Sequence, residues 1–314
     1  MTITQLKYLL AVAKYKNFTL ASQKCFVTQP TLSMQIQKLE EELSILIFNR
    51  KKKPIQLTAI GEKVIAQAKI IIDEGQRLND IVAQQKGFIG GDFKLGMIPT
   101  ITPTLLPLFL KTFIKKYPKV NLIIEELTTE NIIKKLKDGH LDAAIVATPL
   151  ENDAIIEKVL YYEPFLGFVS KNHRLFKEKK ITVDDLDLDD ILLLEDGHCF
   201  KDSILNLCKT LHQEPQDFQI TSGSFNTLIN LTKEGMGMTL LPYLQTQNLS
   251  ENDKKHVKEF SKPVPAREVS LICHKSQLKM QLINALKSTI DSVIRGVIAF
   301  SDVQIVSPLQ KNKA

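Results

Sequence analysis

Apolar residues recur at helical spacing three times in the first 45 positions. Leu6, Leu9, Leu10 and Ala13 predict a helix over Gln5–Lys14, and a second helix is predicted over Thr19–Phe26 with Thr19 as its N-cap. Leu32, Ile36, Leu39 and Leu43 share one face of a third helix, which Thr28 caps and Pro30 enters in the first turn, where a missing N–H costs nothing. Two short helices joined by the tight turn Val27-Thr28 predict a helix-turn-helix. From Thr58 to about Gln85 the apolar positions become Val64, Ala68, Ile71, Gly75, Leu78 and Val82, alternating spacings of four and three. That seam predicts a long helix paired with a second helix.

After Gly87, Gly90 and Gly91 loosen the chain, the pattern alternates. It reads strand (Phe93–Ile98), helix (Pro103–Lys116), strand (Val120–Leu127), helix (Glu130–Asp138), strand (Ala143–Ala147), which predicts parallel βαβ units in a doubly wound sheet. Strands over Phe165–Ser170, Ile191–Leu194 and Phe218–Thr221, then a helix over Phe225–Glu234, predict a second lobe. A strand over Val269–Cys273 and a helix over Leu278–Arg295 return to the first lobe. The expected fold is a multidomain α+β chain. A winged helix-turn-helix spans 1–58, a linker and dimerisation helix 59–89, a two-lobed α/β effector domain like a periplasmic binding protein 90–301, and a flexible tail 302–314.

Composition narrows the class. A chain of 314 residues suffices for about two domains with real cores. No run of about eighteen apolar residues and no charged-then-apolar N-terminal segment occurs, so a cytoplasmic protein is expected, with no membrane association. Four cysteines in a reducing compartment are by default small buried hydrophobes, and without C-x-x-C spacing or a histidine cluster no metal is expected, nor any cofactor.

Charge is unevenly placed. Within residues 1–58 nine lysines and arginines face only Glu40, Glu41 and Glu42, so this stretch carries the whole net charge of +6 and the remainder is neutral. The first module is therefore the candidate polyanion binder, and double-stranded DNA the expected partner. Thr28, Gln29, Pro30, Thr31, Ser33, Gln35 and Lys38 lie near the N-terminal half of the third helix and are the base-reading candidates. Arg50, Lys51, Lys52 and Lys53, followed by Pro54 and Ile55-Gln56-Leu57, suit a hairpin wing against phosphates. Polar helix faces and charge runs are usually only solvated; the helix-turn-helix spacing shifts the balance.

A second stretch carries chemistry. In Leu194-Glu195-Asp196-Gly197-His198-Cys199, an apolar run hands over to a helix from about Asp202 to Leu211, with Cys208 nine positions on. A helix dipole, Lys201 and a protonated His198 would stabilise a thiolate at Cys199, whereas Asp202 suits a helix cap. Ile204, Cys208 and Leu211 share a face, so reduced Cys208 should point into the core. Thr100 and Thr129 sit at carboxyl ends of predicted strands, where helix capping is the favoured reading from the residues alone. Cys25 and Cys273 are expected to be inert.

Residues 17–61, with Asn17-Phe18-Thr19-Leu20-Ala21, Thr28-Gln29-Pro30-Thr31-Leu32-Ser33, Gln35-Ile36, Leu39-Glu40-Glu41-Glu42-Leu43 and Leu57-Thr58-x-x-Gly61, resemble the N-terminal module of LysR-type transcriptional regulators. The pattern departs at Ser44, where that family usually has glycine. The Leu194–Cys199 stretch with Cys208, together with Ile98-Pro99-Thr100 and Thr239-Leu240-Leu241-Pro242, is similar to the OxyR branch, the family's hydrogen-peroxide sensors. The resemblance implies a homodimeric or homotetrameric transcription activator that contacts RNA polymerase. In it peroxide oxidises Cys199, which then joins Cys208, and Thr100, Thr129, His198 and Asp202 shape the peroxide pocket. The alternatives are a LysR-type regulator sensing a metabolite between the lobes, with structural cysteines, and an enzyme such as a thiol peroxidase. The helix-turn-helix has no role in an enzyme, so no enzymatic activity is expected.

Overall fold

The computed structural model describes residues 1–50, 52, 54–85, 89–195, 199–208, 223–298 and 303–309. They fall into two compact units, 1–87 and 88–314.

The first unit runs α1 (Ile3–Tyr15), α2 (Phe18–Lys24), α3 (Gln29–Leu43), an antiparallel hairpin of β1 (Phe48–Asn49) and β2 (Gln56–Leu57), and α4 (Ala59–Gln85). Asn17, not Thr19, caps α2: its side-chain oxygen accepts the Leu20 N–H at 3.0 Å, one of the orphan donors of a helix start. Thr28 caps α3 as expected, accepting the Thr31 N–H at 3.4 Å. Leu6, Leu9, Val12, Ala21, Leu32, Ile36 and Leu39 form the core. Ser44 ends α3 in the left-handed region at φ 54, the conformation that explains the usual glycine there.

The seam on α4 is used differently from the expectation. Ala68 is buried in the unit's own core, and Val64 and Ile71 pack against it. Gly75 has open space around it and Leu78 is 65% exposed, so the apolar positions left for a partner begin there; the Val82 side chain lies outside the described residues. Gly61 at the helix start has a different reason to be glycine. A Cβ there would lie 2.2 Å from the Ile47 carbonyl oxygen, while Thr58 Oγ1 donates to Leu46 O at 2.7 Å and accepts the Gly61 N–H at 3.0 Å. Gly61→Ala is expected to destabilise this unit by roughly 1–3 kcal/mol in urea unfolding, because backbone rather than a side-chain tip must move.

The second unit contains β3 (Gly91–Met97), α5 (Thr102–Lys116), β4 (Val120–Glu126), α6 (Thr129–Lys137), β5 (Ala143–Thr148), β6 (Ile155–Val169), β7 (Lys180–Ile181), α7 (Cys199–Leu207), α8 (Phe225–Lys233), β8 (Met238–Pro242), α9 (Tyr243–Gln247), α10 (Glu251–Lys254), β9 (Val257–Phe260), β10 (Val264–His274), α11 (Met280–Ile294) and β11 (Val303–Ile305). The sheet is mixed rather than wholly parallel. Strands β4, β3 and β5 pair in parallel, but β10 pairs antiparallel with both β5 and β6. Two cores follow. The first buries Phe93, Leu105, Phe109, Ile145 and Leu286; the second buries Phe165, Phe168, Phe200, Leu240 and Phe260. Strand β6 serves both, pairing with β10 along most of its length and with β8 and β9 at its end.

Two expectations need correction, and a third falls outside the described residues. Residues 191–194 make only a single bridge, Ile191 to Met238, in place of a strand. The strand predicted over 218–221 lies outside the described residues. The expected flexible tail is partly docked: β11 pairs in parallel with Val264–Ala266, the Val306 N–H donates to Ala266 O at 2.8 Å, and Asn206 Nδ2 on α7 donates to Ser307 O at 2.9 Å and Leu309 O at 2.6 Å. Val306, buried in the second core, supplies the apolar anchor.

Candidate functional site

On the first unit, α3 buries Leu32, Ile36, Leu39 and Glu40, and the opposite side faces solvent. Thr28, Gln29, Pro30, Thr31 and Lys38 are exposed, as a reading helix requires. Ser33 and Gln35 are half-buried at the flanks, and Ser33 Oγ accepts Arg50 Nη1 at 3.4 Å. Arg50 is a structural tie more than a free phosphate clamp. Its Nη2 donates to the buried Glu40 carboxylate at 2.8 Å, and its guanidinium lies 5.2 Å from the Phe18 ring centre. Glu40 also accepts the Ile47 and Phe48 N–H groups at 2.7 and 3.1 Å, so the pair fixes the base of the hairpin to α3. Lys52 is exposed on the hairpin loop; Lys51 and Lys53 lie outside the described residues.

In the second unit, α7 bridges the two cores. Cys199 is buried in the first, whereas Phe200, Ile204, Leu207 and Cys208 are buried in the second. Among the described residues α7 already includes Cys199, three residues before the expected start, and Asp202 stands in its first turn rather than at its cap. Ser203 Oγ donates back to Cys199 O at 3.0 Å.

The cation beside the sulfur is Arg267 of β10, only 1% exposed. Its Nε and Nη2 donate to Glu163 Oε2 at 2.9 and 2.7 Å, Nη1 to Thr100 Oγ1 at 3.0 Å, and Nη2 also to Thr100 O at 3.1 Å. Glu163, fully buried on β6, accepts the Leu244 N–H with its other oxygen at 2.9 Å. The guanidinium lies 5.5 Å from the Phe200 ring centre. Thr100 is thus a ligand of Arg267, and Ile101 is the N-cap of α5. Thr129 is not a cap either, for Thr128 precedes α6. Its hydroxyl oxygen is buried with no geometrically complete hydrogen bond among the described residues, as is that of Tyr161.

Burial pushes the Cys199 thiol up from its ordinary value; Arg267, the Thr129 hydroxyl and the Ala147 N–H oppose that, and the Asp202 carboxylate adds to it. Burial is the largest of these influences, and its direction is opposite to the lowering expected from a helix dipole and Lys201. Cys208 is pushed up to about 11 by burial and by the carboxylates of Asp187 and Asp190. Cys273 is buried in the first core and Cys25 half-buried at the end of α2. His198 lies outside the described residues.

Residues 3–62 match the bacterial regulatory helix-turn-helix of the LysR family, and residues 86–293 match the LysR substrate binding domain. The chain belongs to the LysR family. Within that family it is 34% identical over 275 residues to a hydrogen peroxide-inducible genes activator of Haemophilus influenzae, covering 87% of this chain and 90% of the relative. A transcriptional regulator of Acinetobacter baylyi named EstR is 33% identical over 277 residues, covering 88% and 91%. The full-length OxyR C199D of Pseudomonas aeruginosa superposes with a TM-score of 0.71 at 32% identity, covering 93% of this chain and 98% of that one.

The LysR chain also holds functional candidates that sequence reasoning missed. Arg267 and Glu163 sit in strands beside Glu268 and Tyr162, polar neighbours that make both positions read as solvent-facing. The available signal was strand alternation: Val269, Leu271 and Cys273 share a face, and two residues back that face carries Arg267. On α3 the missed residue is Met34, which lies opposite the buried face.

Proposed function

We propose that this LysR-family chain is a DNA-binding transcription activator of the oxidative-stress response, switched when hydrogen peroxide oxidises Cys199 and the product condenses with Cys208. One observation carries the reading. The two thiols occupy the two ends of one helix, each buried in a different lobe core, with an arginine beside the first. Oxidation at one end therefore sets one core against the other.

Cys199 loses its thiol proton, the sulfur displaces hydroxide from peroxide to give a sulfenic acid, and the proton and hydroxide leave as water. The Cys208 thiol then displaces the sulfenic hydroxyl, forming the disulfide and a second water. Arg267 stabilises the thiolate, and Thr129 Oγ1, buried beside the sulfur, offers a hydroxyl to the incoming peroxide. Thr100 acts through Arg267, which it holds. His198 and Asp202 complete the proposed pocket.

Because only the thiolate attacks and burial raises the Cys199 pKa, the oxidation rate should keep rising with pH beyond the range of an ordinary thiol, near ~8.5. Stopped-flow rates from pH 6 to 10 check this; a plateau by neutral pH contradicts it.

The reading further takes the protein to act in the cytoplasm as a homodimer or homotetramer, joined through the open half of α4 around Leu78, and to contact RNA polymerase. Footprinting reduced and peroxide-treated protein on DNA tests it. Two different footprints are expected, and peroxide-insensitive binding would restore a metabolite sensor with structural cysteines.

A further inference from the structure

Two apolar side chains stand on the solvent side of the helix-turn-helix. Met34 is 60% exposed, and its position on α3 is about 200° around the helix from Leu32, the middle of the buried face. Pro30 and Lys38, one turn before and after it, are exposed as well, so Met34 is central to the outward stripe. Phe26, in the turn before the helix, is 94% exposed and adopts φ 57. A bulky residue in that region is strained, and glycine or asparagine would relieve it. The conformation is held by backbone bonds from Phe26 N to Gln23 O at 3.2 Å and from Val27 N to Ser22 O at 3.1 Å. Neither side chain contributes to the core, and one is retained at a conformational cost, the pattern of a residue kept for what it touches.

The occupant of this face follows from its setting. It is the reading helix of a LysR-type module whose charge is basic, with Lys24 and Lys38 exposed nearby. In a major groove the one apolar group on a base edge is the thymine C5-methyl. We propose that Met34 and Phe26 form an apolar reading element that selects thymine methyl groups in the operator. This rests on the DNA-binding reading of the first unit.

The test uses full-length protein and a duplex selected by it from a random-sequence pool. Thymines are replaced singly by deoxyuridine, which removes only the methyl group. At one or more positions wild-type affinity should fall about fourfold, the effect of one buried methyl at ~0.8 kcal/mol, and Met34→Ala should lose that sensitivity while keeping the same salt dependence. Phe26→Asn should raise the melting temperature by roughly 4 °C and weaken binding to the selected duplex. Equal uracil sensitivity in wild type and Met34→Ala, or none in either, overturns the inference, as does Phe26→Asn gaining stability at unchanged affinity. Failure to select any duplex overturns the DNA-binding reading itself, which the uracil results leave standing.

Discussion

One equivalent of hydrogen peroxide is expected to link Cys199 to Cys208, and Cys199→Ser to abolish both the linkage and any peroxide-dependent change in DNA footprint. The reduced structure makes this a large rearrangement. Nine helical residues run from Cys199 to Leu207, and Cys208 still bonds back to Ile204 O at 3.2 Å. At ~1.5 Å rise per residue the two Cα atoms are about 13 Å apart, whereas a disulfide needs them within about 7 Å. The linkage therefore requires α7 to unwind and Cys208, Leu207 and Ile204 to leave the second core. Unwinding also takes Asn206 away from Ser307 and Leu309, so amides at 303–306 should exchange faster along with those of α7. In Cys208→Ser the expected product is a sulfenic acid on Cys199 that proceeds to sulfinic acid with excess oxidant. Mass spectrometry that finds no linkage, or a linked protein whose α7 amides remain protected, contradicts this account.

The second large effect concerns the buried ion pair. Arg267→Met leaves the fully buried Glu163 carboxylate without its partner, and a stability loss of about 3–5 kcal/mol is expected. Pairing it with Glu163→Gln removes both charges while the amide oxygen still accepts from Leu244, so the double variant should recover most of that loss. It should not recover reactivity. Without the guanidinium the Cys199 thiolate loses a charge that lowers its pKa, and the rate of oxidation by peroxide should fall by about tenfold or more, equivalent to ~1.4 kcal/mol of barrier. Urea unfolding and stopped-flow oxidation separate the two roles. A double variant as reactive as wild type would reduce Arg267 to a packing element.

Both predictions turn on residues whose importance the sequence shows unevenly. The helix-turn-helix, its Thr28 cap and the apolar faces of α1 and α3 are local: period, cap chemistry and proline placement act within a few residues, so the chain itself declares them. The same holds for the strand and helix alternation from β3 to β5 and for Cys199 at a helix start with Cys208 nine positions on. The long strand β6 was legible only at its apolar end, because its first ten residues mix Glu157, Lys158 and Glu163 with apolar ones. Asn17 took the cap assigned to Thr19 because either side chain suits an N-cap, and only the backbone decides which of them stands at the start.

Sequence by itself determined the reading helix, the basic first unit, the two-lobed class and the cysteine pair, since each is written in spacing and charge. Tertiary structure alone decided that Arg267 and Glu163 are buried together beside Cys199, although they stand more than a hundred positions apart, and that the cysteines anchor in opposite cores. It also assigned half of the α4 seam to the unit's own core and tied the tail to α7. The physical reason is common to all four. Burial, charge pairing and the choice of packing partner depend on which surfaces the folded chain brings together, and no local period encodes that.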